Sequence, residues 1–464
     1  MDSNTICAVS TAPGMGGIAV VRVSGQDAIP FTDAIFRSVR KGFTLSQASN
    51  QSLHYGDIVN TDGTILDSVL VSVFRNPHSF TGEDTTEISC HGSVFIQQQI
   101  LRLLIDAGCR LAGPGEFTQR AFLNGKMDLS QAEAVADVIA STTAASHQLA
   151  MGQMRGGFSH ELENLRLQLL KFVSLIELEL DFSTEDVEFA DREELFTLVG
   201  DIKSKITSLC ESFSVGNAIK NGIPVAIVGQ TNVGKSTLLN CLLNEEKAIV
   251  SDINGTTRDV IEDTFVYKGV LFRLIDTAGI RNTDDVVEKI GIERSFKKMD
   301  EASVVLLMVD ATAPVTDSKK FVSDNIERIG DKSVALVINK IDAVSDAVLS
   351  EFSNMQLPAN VHLIKISAKD RKNTDGLLEL LHSLANLKHF SSEFVAVANM
   401  RHYEALQRAL AAIARVDDGM NLSLPSDLLT RDIHDCIDAL SEITGQISSQ
   451  DVLNNIFSHF CIGK

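Results

Sequence analysis

The chain lacks what would tie it to a membrane, an oxidising compartment or the general surface of a polyanion. No apolar run approaches the roughly 18 residues that a spanning helix needs, so no membrane association is expected. The opening MDSNTICAVSTAPGMGG has neither the positive nor the apolar region of a secretory signal, and a cytoplasmic protein is the expectation. Seven scattered cysteines (Cys7, Cys90, Cys109, Cys210, Cys241, Cys436, Cys461) form no C-x-x-C pair, which points to reduced thiols. Basic side chains are in deficit: 41 against 61 acidic ones give a net charge of −20. That excludes a protein that coats itself broadly on nucleic acid or anionic lipid, though not one with a local basic site. There are no internal repeats. The one biased tract, acidic residues 185–194, reads as solvated surface.

What is present is a phosphate loop. Gly229-Gln230-Thr231-Asn232-Val233-Gly234-Lys235-Ser236 lies between the apolar run 225–228 and a stretch with Leu238, Leu239, Leu242 and Leu243 at helical spacing. Strand, loop and helix in that order are the context the motif requires. Glycines let consecutive backbone N–H groups curl around a phosphate, and the helix N-terminus adds positive potential. Lys235 is placed to reach the β- and γ-phosphates, Ser236 to ligate Mg²⁺, and Val233, Gly234 and Thr237 to complete the cradle.

Four later segments turn "nucleotide" into "GTP". Asp276-Thr277-Ala278-Gly279 ends an apolar strand, with Asp276 holding Mg²⁺ through water and Gly279 sensing the γ-phosphate. Asn339-Lys340-Ile341-Asp342 follows the apolar run 334–338, and a carboxylate at Asp342 accepts two hydrogen bonds from the guanine edge. Adenine has no such donor pair, so an unpaired carboxylate would penalise ATP. Ser367-Ala368-Lys369 fits the loop that packs on the base. Thr256 and Thr257, in Gly255-Thr256-Thr257-Arg258-Asp259, occupy a switch, with Thr257 as a second Mg²⁺ ligand. Five motifs in order over about 140 residues specify a GTPase domain.

The surrounding pattern suggests four segments: residues 1–124, mixed α+β; 125–218, helical; 219–385, the G domain with a doubly wound sheet; and 386–464, helical again. Residues 130–146 are Ala-rich. Leu162, Leu165, Leu169, Val173, Ile176 and Leu180 form a core-facing helical stripe, and Leu428, Leu429, Ile433, Cys436, Ile437 and Leu440 repeat that spacing. Residues 265–267 and 270–275 read as a hairpin around Lys268-Gly269. Helices on both sides suggest that the G domain is inserted into one discontinuous helical domain.

Which GTPase this is depends on the remaining features. The residue after Gly279 is Ile280, where small signalling GTPases use glutamine to orient water; Glu288 is the nearby acidic candidate for that catalytic role. The closing Cys461-Ile462-Gly463-Lys464 has the position of a prenylation box, but Gly463 is not aliphatic. Near the other end stand Ala12-Pro13-Gly14-Met15-Gly16-Gly17-Ile18, Phe80-Thr81-Gly82-Glu83-Asp84, Gly115-Glu116-Phe117-Thr118 and Arg120-Ala121-Phe122-Leu123-Asn124-Gly125-Lys126. With the nucleotide motifs, these segments resemble the MnmE/TrmE family of tRNA-modification GTPases along essentially the whole chain. Met15 stands where the family often has arginine.

The resemblance implies a folate-binding, dimerising N-terminal domain, a helical domain and an inserted Ras-like G domain in a homodimer. It implies an FAD-dependent partner of the MnmG/GidA type in a hetero-oligomer. The two would add a (carboxymethyl)aminomethyl group to C5 of the wobble uridine of certain tRNAs. The carbon would come from a tetrahydrofolate derivative, in its 5-formyl or 5,10-methylene form. By matching position Arg22, Glu87, Lys126 and Lys464 would line the folate site, a structural ion pair being the alternative for Arg22 and Glu87. Cys461 is a candidate reactive thiol. The family's K⁺ would sit on Asn232, Ser251, Thr256 and the carbonyl of Ile253, doing the work of an arginine finger. Glu288 would then orient the attacking water. A ribosome-assembly GTPase is the alternative, and it should carry an RNA-binding module and a more basic surface.

Overall fold

The computed structural model describes residues 4–181, 192–243, 263–275, 300–330, 332–385, 396–422 and 424–463. Contacts divide the chain into two compact units. One joins Met1–Ile139, Gly152–Lys203 and Ala405–Lys464; the other joins Ala140–Met151 and Ser204–Glu404.

The first unit opens with a seven-stranded sheet: β1 Ile6–Val9, β2 Gly16–Ser24, β3 Phe36–Ser38, β4 Ser52–Val59, β5 Ile65–Phe74, β6 Thr85–Gly92 and β7 Arg110–Leu111. Its order is β3-β4-β5-β6-β2-β1-β7, antiparallel except for the parallel β1–β7 pair. Strand alternation sets its two faces. Val21, Val23, Val69, Val71, Val73 and Ile88 point into a core shared with helices α1 Ala28–Ile35 and α2 Val94–Asp106. On the opposite parity Ile18, Leu53, Tyr55 and Leu70 are exposed, while Ile6 and Ala8 of β1 are buried with Phe117 in a second, smaller cluster.

Helix α3, Glu116–Leu123, is tied down by charge. Glu116 takes two bonds from Arg110, at 2.6 and 2.9 Å, one from the Gly113 N–H at 2.8 Å and one from Arg120 at 3.0 Å. Arg120 also reaches Glu83 at 3.1 Å, and Glu83 accepts from the Ser24 hydroxyl at 2.8 Å. The end of the chain docks on the same unit. Ile462 bridges Pro114, the Gly115 N–H donates to the Cys461 carbonyl at 3.4 Å, and the Ser10 hydroxyl donates to the Gly463 carbonyl at 3.0 Å. Gly463 has φ +93°, and a Cβ there would stand 2.1 Å from the Val9 carbonyl oxygen, so only glycine closes this contact.

The Ala-rich stretch is two helices rather than one: α4 Leu129–Ala140 and α5 Ala144–Met154. Thr143 and Ser146 break it by reciprocal capping. The Ser146 N–H donates to Thr143 Oγ1 at 3.0 Å, and the Thr143 N–H donates to Ser146 Oγ at 3.1 Å. Helix α6, Gly157–Asp181, buries Leu162, Leu165, Leu169 and Val173 and packs against the helix Ser426–Thr444. That partner buries Leu429, Ile433, Cys436, Ile437 and Leu440, whereas Leu428 is exposed. Residues 185–191 of the acidic tract lie outside the described residues.

The second unit carries a six-stranded sheet: β8 Ile223–Gly229, β9 Asp263–Tyr267, β10 Val270–Leu274, β11 Val304–Asp310, β12 Ser333–Asn339 and β13 Val361–Lys365. The order is β13-β12-β11-β8-β10-β9, parallel except for β9, which forms the expected hairpin with β10. Both faces are covered, so the strands read as continuous apolar runs. Val225, Ile227, Leu306 and Met308 enter one core; Ala226, Val228, Val305 and Leu307 enter the other. The segments that lead into and out of this sheet meet. Helix α7, Arg192–Asn221, offers the Ser212 hydroxyl to the Val397 N–H at 3.0 Å, and Phe213 stacks on Tyr403 at 4.3 Å.

Burial acting alone would raise the Glu116 carboxyl, but its bonds from Arg110, Gly113 and Arg120 outweigh that and hold it at about 2. A depressed folded value gives stability that is present above the unfolded value, 4.5, and lost as pH falls toward about 2. Glu116→Gln should therefore lower the unfolding temperature at neutral pH, and the gap from wild type should close on acidification below about pH 4.5. A gap independent of pH in thermal melts would contradict this account.

Candidate nucleotide site and the open face of the N-terminal sheet

In the second sheet the strand order reverses beside β8: the chain goes to β10 on one side and to β11 on the other. Ligands of such sheets bind beyond the carboxyl ends of the strands at that reversal. Gly229 ends β8, and helix α8, Lys235–Leu243, starts six residues later, so the loop between them lies there. Asn232 adopts φ +61° and Gly234 φ +97°, which turn the chain tightly into the helix. Val233 is buried and anchors the loop in the core, while Asn232, Ser236 and Thr237 are exposed. The Lys235 ammonium donates to the carbonyls of Gly229 and Gln230, at 2.7 and 2.8 Å. It is thus held over the mouth of the loop.

The base-reading segments are joined to this loop by one buried side chain. Asn339, at the end of β12 and 2% exposed, donates from Nδ2 to the Val233 carbonyl at 2.8 Å. Its Oδ1 accepts from the Ala368 N–H at 3.0 Å. A Cβ on Gly234 would sit 2.3 Å from Asn339 Nδ2, so the glycine makes room for the clasp. Lys340, at φ +65°, projects to Asp310 at the end of β11, with Nζ to Oδ2 at 2.6 Å. Burial opposes the charge on Asp310, but Lys340 and Thr312 hold its carboxyl below the ordinary range. Asp342 is exposed beside the loop that carries Ser367 and Ala368, and the Ser367 hydroxyl leads the contacts that hold its carboxyl low. Ser367 itself pairs with Lys372 through two backbone bonds, at 3.1 and 3.0 Å.

The structure therefore brings Asn232, Val233, Gly234, Lys235, Ser236, Thr237, Asn339, Lys340, Asp342, Ser367 and Ala368 to one end of one sheet. The expected positions Ser251, Ile253, Thr256, Thr257, Asp276, Thr277, Ala278, Gly279 and Glu288 lie outside the described residues. Asp310 was not foreseen; its signal was an apolar run, 304–309, that stops on a carboxylate.

In the first unit Arg22 and Glu87 are cross-strand partners on β2 and β6 and form an ion pair of 2.8 Å, partly open to solvent. The alternative of a structural ion pair is thus realised, and the pair remains reachable from the open face. The Arg22 guanidinium lies over Phe80 and Phe117, at 5.3 and 5.6 Å. Phe80 belongs to the segment that also receives Lys126, whose ammonium donates to the Pro77 carbonyl at 2.9 Å and whose stem packs by Gly82. Cys461 is exposed in the docked C-terminal segment, while the other six cysteines are buried and none is in a disulfide. Lys464 lies outside the described residues.

A parallel sheet with its phosphate loop at the strand reversal, clasped to a base-reading segment, is that of a P-loop GTPase, here with further domains at both ends. Residues 5–126 match the family model for the GTP-binding protein TrmE N-terminus, and residues 129–461 match that for the MnmE helical domain. A protein of Parabacteroides distasonis named tRNA modification GTPase MnmE is 57% identical over 99% of this chain and 100% of its own length. Proteins of that name from Bacteroides thetaiotaomicron and Flavobacterium johnsoniae are 55% and 51% identical, each over 100% of both chains. Among solved structures, the G domain of the T. maritima FeoB iron transporter overlaps 35% of this chain and 99% of its own, at 26% identity and a TM-score of 0.26. The chain belongs to the MnmE family of tRNA-modification GTPases.

The Asn339 clasp can be tested. Asn339→Ala orphans a buried carbonyl and a buried N–H, at about 1–3 kcal/mol each. Guanine-nucleotide affinity should fall at least about tenfold in calorimetry. Unchanged affinity would show that the two loops hold their places without it.

Proposed function

We propose that this chain hydrolyses GTP to GDP and phosphate in order to drive a tRNA modification, in the cytoplasm and as a homodimer. With an FAD-dependent partner of the MnmG/GidA type it adds a (carboxymethyl)aminomethyl group to C5 of the wobble uridine of certain tRNAs. A tetrahydrofolate derivative supplies the one-carbon unit. The observation that carries the nucleotide part is the clasp from Asn339 to Val233 and Ala368, which makes phosphate and base recognition one rigid surface. The modification is carried by relatives of equal length that bear the name tRNA modification GTPase. The ribosome-assembly alternative has no comparable support.

The same reading divides the chain into residues 1–124, 125–218, 219–385 and 386–464, and the limits of the two sheets support it. The first sheet ends at Leu111, the second begins at Ile223, and the last helix beside it ends at Leu384. In the nucleotide site Lys235 offsets phosphate charge, α8 presents its N-terminal N–H groups, and Asp342 accepts from the guanine edge. Ser236 and Thr257 would hold Mg²⁺; the exposed hydroxyl at the start of α8 suits such a hard cation. Asn232, exposed in the loop at φ +61°, suits a monovalent cation, with Ser251, Ile253 and Thr256 as the other K⁺ ligands. That ion would offset charge developing on the leaving oxygen, and Glu288 would orient the water.

On the first unit Glu87 suits the guanine-like donor edge of a pterin, and Arg22, Lys126 and Lys464 suit carboxylates. Cys461, exposed beside the same domain, is the candidate thiol.

Two measurements test these assignments. Nucleoside mass spectrometry of tRNA from cells without the gene should show loss of the C5-modified wobble uridines; an unchanged profile overturns the function. GTPase rates at equal ionic strength should be strongly stimulated by K⁺ and not by Na⁺, and Asn232→Ala should abolish the difference. Equal rates of the wild type in the two salts would remove the cation.

A further inference from the structure

Two carboxylates compete for one lysine in the nucleotide site, and the outcome decides whether the base-reading group is free. Lys340 stands between the buried Asn339 and Asp342, the residue given the guanine edge above. The backbone around it is pinned. The Ala311 N–H donates to the Asn339 carbonyl at 2.9 Å, the Ile341 N–H to the Ile366 carbonyl at 3.3 Å, and the Ala343 N–H to the Lys340 carbonyl at 3.1 Å. Between these bonds Lys340 is held at φ +65°, a conformation that a side chain disfavours. What is left to choose is the direction of its flexible stem. The stem goes to Asp310, at the end of β11, with Nζ to Oδ2 at 2.6 Å. The other oxygen, Oδ1, accepts the Thr312 N–H at 2.9 Å and the Thr312 hydroxyl at 2.7 Å. The Asp310 side chain is 16% exposed and that of Lys340 is 37% exposed. Strand register explains the meeting, since Asp310 pairs with Asn339, the residue before the lysine.

Asp342 offers no such socket. It is exposed on the short turn Ile341–Ala343, and the charges of Lys369 and Lys340 both act on its carboxyl, after the Ser367 hydroxyl. An ammonium two residues from a carboxylate, with no competing acceptor, would close on it. A carboxylate engaged in that way has fewer lone pairs for the N1–H and N2–H₂ donors of guanine. We infer that Asp310 is a positioning residue for base recognition: it draws the Lys340 ammonium away from Asp342 and keeps that carboxylate open to the guanine edge. The inference rests on the assignment of the guanine edge to Asp342 and adds what keeps that group available. Thr312 belongs to the device, because it occupies Oδ1 and leaves Oδ2 as the oxygen aimed at the lysine. None of the phosphate-binding or base-reading segments contains Asp310; it enters the site only through the end of β11.

Calorimetry of the full chain with GDP and with inosine diphosphate, which lacks the 2-amino donor, separates the outcomes. Wild type should bind GDP about ten- to a hundredfold more tightly, the worth of one bond to a charged acceptor. Asp310→Asn keeps an acceptor for Thr312 but turns an amide N–H₂ toward Lys340, which releases the ammonium. That variant should bind GDP about tenfold more weakly, with its preference over inosine diphosphate reduced to about threefold or less. Adding Lys340→Met removes the freed ammonium and keeps an apolar stem, so the double variant should recover the preference. A merely structural role for Asp310 would weaken both ligands alike, and no change at Lys340 would mend it. Asp310→Asn with the wild-type preference, or a double variant no better than Asp310→Asn, would overturn the inference and leave the Asp342 assignment standing. Recovery through Lys369→Met in place of Lys340→Met would overturn it as well. Equal binding of the two ligands by wild type would remove the Asp342 assignment itself, and the inference with it.

Discussion

The nucleotide end of the molecule depends on one buried carboxamide. Asn339 can satisfy both of its polar ends only if the carbonyl of Val233 and the N–H of Ala368 face each other across about one side chain. That demands that β12 run past the end of β8, with β11 between them, and the parallel register supplies it: Met308 pairs with both Gly229 and Val337, whereas Asn339 pairs with Asp310, two residues further on. It also demands that no Cβ stand at Gly234. Remove the register or the glycine, and a buried amide is left without partners, a larger penalty than the bonds themselves are worth. The phosphate loop and the base loop are therefore not two recognition elements that happen to be close. They are one surface fixed by a satisfied polar group inside an apolar sheet.

The first unit is built on the opposite economy. Its sheet is covered throughout on one side; on the other, Ile6 and Ala8 of β1 are buried with Phe117 while the surface around Leu53, Tyr55 and Leu70 stays exposed, and the constraint is to hold the edges of that surface in place. Charge does this at one end, through Arg110, Glu116, Arg120 and Glu83, and the chain terminus does it through Ser10, Pro114 and Gly115. Burial of Glu116 costs a desolvation penalty that its four donated bonds must overcome, and its low pKa says that they do. An ionic lock of this kind fixes position more than it adds stability. Here position is the point, since α3 precedes Lys126 and the docked terminus carries Cys461.

Local chemistry was readable where contact partners are neighbours in sequence. The phosphate loop, the Asn339-Lys340-Ile341-Asp342 segment and the hairpin around Lys268-Gly269 each need only a few consecutive residues, and strand alternation exposed β2 and β5. What escaped needs the third dimension. The break between α4 and α5 rests on Thr143 and Ser146, and a Ser in place of the usual Glu or Gln hides that box inside an Ala-rich helical pattern. Asp67 and His91 are 24 residues apart, and they meet only because the β5–β6 ladder stops where it does. The tie from Asp310 to Lys340 spans 30 residues and two strands. Hydrophobic periodicity gives faces, not partners, so cross-strand polar pairs are the part that spacing cannot deliver.

Net charge and the ligands proposed here pull in opposite directions, and distance resolves the conflict. At −20 the chain repels nucleotides, folates and RNA from afar. Salt, however, screens exposed charges beyond a Debye length of about 8–10 Å. Inside that radius the local arrangement decides. At the phosphate loop it is Lys235, fixed by two carbonyls, together with the N-terminal N–H groups of α8. On the open sheet face it is Arg22, stacked on Phe80 and Phe117 and braced by Glu87. Each cation is held by a neighbour in one geometry, so its attraction is short-ranged and directional. An acidic protein arranged this way turns away polyanions at large, and admits an anion at the places where its own shape presents donors.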